Sequence, residues 1–200
     1  MSTTFSTSAF AELDKFKTPN LDGLNPGWVY EDADEELKHI AKFIASKTSH
    51  NSDIDPTRIK FFYTSKVKKD GGRFILGALS VRDEMERMIH NDFDYRLCVF
   101  YPVWKNLDSK NKVIQLDKIL CGVLLAPGKD AADVIVKKNP TDSREYTENM
   151  AHFGAEEVLK SSEVVDKATQ QILEEEAEQK KLAKDAQKQA REVKKNKNHE

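Results

Sequence analysis

The chain has 200 residues, of which 38% are hydrophobic and 33% charged, and its formal net charge is -2 at pH 7. This composition is typical of one medium-sized domain with polar extensions and excludes a wholly disordered chain. No apolar run reaches about 18 residues, which excludes a membrane-spanning helix, and the small net charge indicates no particular partner.

The two cysteines and the N-terminus indicate the cellular compartment. Cys98 and Cys121 both lie in apolar sequence, and two isolated thiols without a disulfide framework favour a reducing environment. The first residues lack the basic start and apolar segment of a signal peptide. We therefore expect a cytoplasmic protein that does not contact a membrane.

An α+β domain is predicted over residues 31–154, between a flexible N-terminal arm at 1–30 and a charged helical C-terminal extension at 155–200. The arm is rich in Ser, Thr, Pro, Gly and Asn and shows no hydrophobic periodicity. The domain begins with a helix, because Leu37, Ile40, Ala41 and Ile44 recur at helical spacing. Within the domain we expect a three- to four-stranded sheet packed on helices.

Three apolar, β-branched and aromatic segments at 58–64, 73–79 and 95–101 predict strands. The turn residues at 70–72 predict that the first two strands form a hairpin. Ser80 is a candidate N-cap for a helix over 81–89.

The central helix is predicted over 108–125, where Val113, Leu116, Ile119, Leu120 and Val123 form a buried face. A short strand at 133–136 would form a hairpin or a flap. A further helix begins after Pro140, with Thr141 or Asp142 as its N-cap. The apolar positions of the extension are too sparse for a strong zipper, so it is either a partly frayed helix or a weak homo-oligomerising one.

Four segments, in the same order along the chain, resemble the phage metallopeptidase family, a relative of the SprT-like and minimal zincin-type peptidases. They are a lysine-rich hairpin with paired glycines (62–72 and 76–77), a Trp-x-x-Leu element (103–107), the helix segment 116–123 and the segment 141–146. The resemblance implies a small zincin-like domain and, if a phage encodes the chain, a location in the host cytoplasm.

The same resemblance places Lys118, Ile119, Gly122 and Thr141 where the family carries its zinc ligands and general base. A catalytic zinc needs three protein ligands, and in metallopeptidases with a His-Glu-x-x-His motif two of them are its histidines and the Glu is the general base. None of the four residues suits these roles, and the remaining histidines show no paired ligand spacing. The sequence therefore predicts a non-enzymatic scaffold without catalytic residues, metal or cofactor.

A basic hairpin with interleaved aromatic residues predicts that the function is binding of single-stranded DNA in phage replication or transcription. The candidate contacts are Arg58, Lys60, Tyr63, Lys66, Lys68, Lys69, Arg73, Tyr101, Trp104, Lys105, Lys110 and Lys112. The alternative is that alternating aromatic residues form the core and that the lysines protect an exposed strand edge.

Two other functions stay open at this point. The acidic block at 174–178 and the basic run at 180–197 could form a docking helix for a host or phage enzyme, such as an RNA polymerase, or could only solubilise the chain. Residual metallopeptidase activity is the third possibility.

Overall fold

The computed structural model describes residues 10, 12–25, 27–32, 35–48, 54–70, 73–82, 93–127, 134–138 and 147–197. These residues form an α+β fold, as predicted. The helices are α1 (Glu36–Lys47), α2 (Tyr101–Trp104), α3 (Ser109–Leu120), α4 (Thr147–Phe153) and α5 (Ala155–Lys197). The strands are β1 (Val29–Glu31), β2 (Ile59–Thr64), β3 (Lys68–Asp70), β4 (Arg73–Ile75), β5 (Gly77–Val81), β6 (Tyr95–Phe100), β7 (Val123–Pro127) and β8 (Val134–Lys138). None of the helices in these ranges has the length and apolar character that a membrane span requires.

The main sheet has four strands in the order β1-β2-β6-β5. β2 pairs antiparallel with β1 and parallel with β6, and β6 pairs antiparallel with β5. Ile59, Phe61 and Tyr63 are buried, whereas Lys60 and Phe62 between them are half-buried. This alternation is that of a sheet with one face on the core.

The predicted pairing of segments 58–64 and 73–79 is wrong. β1 and β6 occupy both edges of β2, so the second segment cannot pair there. It is split at Leu76 instead. β4 forms a short antiparallel hairpin with β3, and β5 continues on β6. Ser80 lies in β5 rather than at a helix N-cap, and the helix predicted over 81–89 falls mostly outside the described residues.

Helix α3 is shorter than predicted. Asp108 caps its start, because its side chain accepts a hydrogen bond from the backbone N–H of Asn111 at 2.7 Å. The helix ends at Leu120, Gly122 lies in the turn that follows, and residues from Val123 form β7, which pairs with β8. An apolar run bounded by glycine fits a buried strand as well as a buried helix, which explains the error.

Gly77 allows α3 to lie close to the sheet. A Cβ atom on Gly77 would be 2.4 Å from Ile119 Cδ1 and 2.9 Å from the carbonyl oxygen of Cys98. The main core lies at this interface, where Val113, Leu116 and Leu120 of α3 are fully buried. A side chain at position 77 would force the helix or the strand to move.

Both ends of the described chain contact the domain. Leu13 and Leu21 are buried, and the Leu21 backbone N–H donates to the Tyr101 hydroxyl at 2.9 Å. The described part of the predicted flexible arm therefore packs against the fold, and its predicted boundary at residue 30 falls inside β1.

At the other end, Val158 and Val165 of α5 are buried, whereas Leu182 is 69% exposed. The first part of this long helix is thus joined to the core. Whether its second part pairs with another copy stays a prediction. The predicted helix start at Pro140 and its caps Thr141 and Asp142 lie outside the described residues.

Candidate metal site

Three aromatic residues predicted to contact nucleic acid lie in the core. Tyr63 and Trp104 are 0% exposed and Tyr101 is 3% exposed. Tyr63 Oη and Trp104 Nε1 both donate to Glu36 Oε2, a carboxylate that is itself buried. Bases cannot stack on these rings in this structure. The alternative prediction, that these aromatic residues form the core, explains their position. Burial explains the correction. Inward alternation along β2 selects Tyr63 for packing as well as for binding, and Tyr101 and Trp104 are buried in helix α2 rather than placed on a strand.

Five of the predicted cationic contacts already have partners within the fold. The ion pairs are Arg58–Asp94, Lys105–Asp22, Lys110–Glu157 and Lys112–Glu36, and Lys60 lies over the Phe93 ring. The Arg58 pair is bidentate, with nitrogen–oxygen distances of 2.8 and 2.9 Å. A phosphate would have to compete with these partners.

The remaining predicted contacts lie on or beside the β3–β4 hairpin. Lys66 is exposed. In the backbone register of the hairpin, Lys69 lies opposite Phe74, and Asp70 lies opposite Arg73. Together with Lys68, these positions stay candidates for nucleic-acid binding.

The positions that align with the family's zinc motif form no metal site in the described residues. Lys118 and Ile119 are half-buried on α3, and Gly122 is buried in the turn after it. Thr141 lies outside the described residues. Ligand-type side chains occur instead one residue earlier on the same helix.

Asp117, Cys121 and His152 form a buried cluster. Their potential ligand atoms all lie within 4.8 Å of one another. Asp117 and Cys121 are four residues apart at the end of α3, so they project from the same side of the helix. His152 comes from the last turn of α4, and its Nδ1 is 2.9 Å from Asp117 Oδ2. Exposures of 0%, 0% and 6% place the three side chains away from bulk water.

Asn149 holds the cluster together from α4. Its Nδ2 donates to Asp117 Oδ2 at 2.7 Å and to the Ile114 carbonyl oxygen at 3.1 Å. These two acceptors fix the amide orientation, because a flipped amide would place its oxygen against both. Asn149 is fully buried, and its Oδ1 has no hydrogen-bond partner within the described residues. Leaving a buried acceptor unpaired costs roughly 1–3 kcal/mol.

Burial strongly raises the pKa of the Cys121 thiol, and the negative charges of Asp117 and Glu148 raise it further. The backbone N–H of Asn149 opposes this effect by stabilising the thiolate. The cluster therefore keeps a neutral thiol in the absence of a cation. A bound cation would reverse this preference, since it stabilises the thiolate directly.

The cluster's donors fit a divalent transition metal. Carboxylate oxygen, thiolate sulfur and imidazole nitrogen are the three ligand types that zinc uses in proteins. Tetrahedral zinc would place oxygen and nitrogen ligands about 3.4 Å apart, and oxygen and sulfur ligands about 3.6 Å apart. The observed distances from Asp117 Oδ2 are 2.9 Å to His152 Nδ1 and 3.9 Å to Cys121 Sγ. No two of the three ligand atoms are more than 4.8 Å apart, so local rearrangement of the side chains would let one ion contact all three.

A four-stranded sheet packed on helices, with ligand-type residues on the helix over that sheet, defines a zincin-like domain with a candidate metal site. The family profile described as "Putative phage metallopeptidase" matches residues 28–175. The chain belongs to this family. Searches of curated proteins and of solved structures found no match to the chain.

The family and the cluster overturn the prediction of a non-enzymatic scaffold without a metal site. The prediction rests on the four positions of the His-Glu-x-x-His register and on the absence of paired histidines. Asp117 and Cys121 have the same i, i+4 spacing one position earlier, and both are ligand types. This spacing was visible in the sequence, whereas the approach of His152 across 35 residues was not.

Proposed function

We propose that this protein is a metal-dependent peptidase whose metal is held by Asp117, Cys121 and His152. The observation that carries the proposal is the buried three-ligand cluster between the end of the central helix α3 and helix α4, in a chain from a metallopeptidase family. Three protein ligands with a further open position are the usual composition of a catalytic zinc site.

The metal would act as a Lewis acid toward a peptide carbonyl and would lower the pKa of water. The chain itself must supply a general base. Glu148 suits this role, because its side chain is only half-buried and its charge acts on Cys121. It also lies four residues before His152 on α4. The three ligands are buried, so a peptide must displace part of the chain that covers them.

Metal analysis of paired thiol variants tests this proposal. We expect about one zinc per chain after equilibration with zinc and gel filtration. Cys121→Ser should lose the metal, whereas Cys98→Ser, which removes the thiol on β6, should keep it. Absence of bound zinc in the unmodified chain, or equal binding by both variants, would contradict the proposed site.

The role of Glu148 is tested separately. Glu148→Gln should retain zinc and lose hydrolysis of a quenched-fluorescence peptide library by about 100-fold or more, as expected for removal of a general base. Thr147→Ala, at the neighbouring exposed position, is the control. Full activity of Glu148→Gln would assign the base to another residue.

A second function, binding of single-stranded nucleic acid, is supported by the β3–β4 hairpin. The hairpin lies outside the four-stranded sheet, and its register carries Lys68, Lys69 and Arg73 on one two-stranded ribbon. Lys66 adds an exposed charge beside it. Such a ribbon could bring the peptidase to proteins bound on phage DNA during replication or transcription.

A salt titration with single- and double-stranded oligonucleotides tests this second proposal. We expect affinity for the single strand to fall steeply with salt, because phosphate contacts release counterions. Charge reversal at Lys66, Lys68 and Lys69 should abolish binding, and reversal of the ion-paired Lys110 should change it little. An unchanged affinity in the triple variant would exclude the hairpin. Recovery of an RNA polymerase in a pull-down without any oligonucleotide binding would favour a protein-docking role.

A further inference from the structure

Asn149 contacts two of the three candidate ligands and precedes the third by three residues on α4. Its side-chain amide donates to Asp117 at 2.7 Å. Its backbone N–H interacts with the Cys121 sulfur. Because residues three apart on a helix are neighbours, Asn149 and His152 face the same side of α4.

The second hydrogen bond of the amide ties this arrangement to α3. Asn149 Nδ2 also donates to the carbonyl of Ile114, three residues before Asp117 on the same helix. One side chain therefore fixes both the rotamer of Asp117 and the distance between α3 and α4. That distance decides whether His152 reaches the pair on α3.

We propose that Asn149 is the positioning residue of the metal site: its side chain orients Asp117 and holds α4 against α3, so that Asp117, Cys121 and His152 meet around one ion. This inference rests on the proposed metal site. The side chain of Asn149 contacts Asp117, whereas its backbone N–H contacts Cys121. A substitution at position 149 therefore removes the first contact and keeps the second.

The division between side chain and backbone has a measurable consequence. Residues that orient metal ligands typically contribute about 10- to 100-fold in metal affinity. Asn149→Ala should weaken zinc binding by this factor while Cys121 stays a ligand. Asn149→Asp should also weaken it, because a carboxylate cannot donate to Asp117 and repels it. If Asn149 acted instead as a direct oxygen ligand, the Asp variant would bind as tightly as the unmodified chain or more tightly.

Gln115→Ala is the matched control. Gln115 is a buried amide on α3 that donates to Ser161 Oγ at 2.9 Å rather than to a residue of the cluster. Both alanine variants lose a buried amide donor, so both lower stability. Only Asn149→Ala should change metal affinity. The comparison separates positioning of the metal ligands from general loss of packing.

The experiment is a competition between the full-length chain and a chromophoric chelator for zinc, repeated with cobalt(II) to record the thiolate charge-transfer band. We expect the Asn149 variants to bind about 10- to 100-fold more weakly, the Gln115 variant to bind normally, and the thiolate band to persist in all. Normal affinity in Asn149→Ala, or undiminished affinity in Asn149→Asp, would overturn the inference. Absence of binding by the unmodified chain would refute the metal site itself.

Discussion

Glu36 accepts four hydrogen bonds in the core, and its replacement by alanine should unfold the protein far more readily. Lys112 Nζ and Thr18 Oγ1 donate to Oε1 at 2.7 and 2.8 Å, and Tyr63 and Trp104 donate to Oε2. Glu36 is 1% exposed and the Lys112 side chain 12%, so alanine would leave a largely buried ammonium without its carboxylate. Removing one partner of a buried ion pair costs about 3–5 kcal/mol.

Urea denaturation followed by circular dichroism measures this loss. Glu36→Ala should lower the free energy of unfolding by about 3–5 kcal/mol, and Glu36→Gln, which keeps one acceptor but also removes the charge opposite Lys112, by a similar amount. Glu157→Ala removes an exposed ion pair with Lys110 and should not change the free energy of unfolding measurably. A loss below about 1 kcal/mol in Glu36→Ala would refute the buried network, and with it the assignment of Tyr63 and Trp104 to the core.

Three further predictions concern packing and the buried thiol. Gly77→Ala should cost about 1–3 kcal/mol because its Cβ would overlap Ile119, and a neutral effect in urea denaturation would contradict the close contact. Val158→Ala should cost about 2 kcal/mol, and Leu182→Ala almost nothing, because the first is buried and the second 69% exposed; equal effects would refute the docking of α5. Burial raises the pKa of Cys121 above the ordinary thiol value of 9.0. As the pH rises through 9.0, the thiol therefore ionises in the unfolded chain before it ionises in the folded one. The free energy of unfolding of the metal-free protein should therefore fall above that pH, and that of Cys121→Ala should fall less. Identical dependence of the two free energies on pH would contradict the burial of the thiol.

Hydrophobic spacing predicted the helices and strands that pack on one another, but it could not predict which strands pair. The apolar faces of α1 and α3 could be predicted from the sequence, because Leu37 in α1 and Leu116 in α3 each belong to a set of apolar residues at helical spacing. The parallel pairing of β2 with β6 joins segments more than 30 residues apart, and no local pattern encodes it. The glycine-rich turn predicted a hairpin correctly, yet its strands are only β3 and β4.

The candidate site was harder to predict, because the motif itself is absent. Lys118 and Gly122 align with the histidines of the His-Glu-x-x-His motif, whereas the adjacent Asp117 and Cys121 carry the ligand atoms. Their i, i+4 spacing could have identified two of the three ligands. The contributions of His152 and Asn149 depend on how α4 packs against α3, which composition and periodicity do not specify.

The environment of bound zinc tests the central claim most directly. X-ray absorption at the zinc edge of the full-length, zinc-loaded chain should show one sulfur ligand at about 2.3 Å and nitrogen or oxygen ligands at about 2.0–2.1 Å. Cys121→Ser should remove the sulfur contribution, and Cys98→Ser should leave it unchanged. A first shell of nitrogen and oxygen alone, or a chain that does not retain zinc, would contradict a metal site built from Asp117, Cys121 and His152.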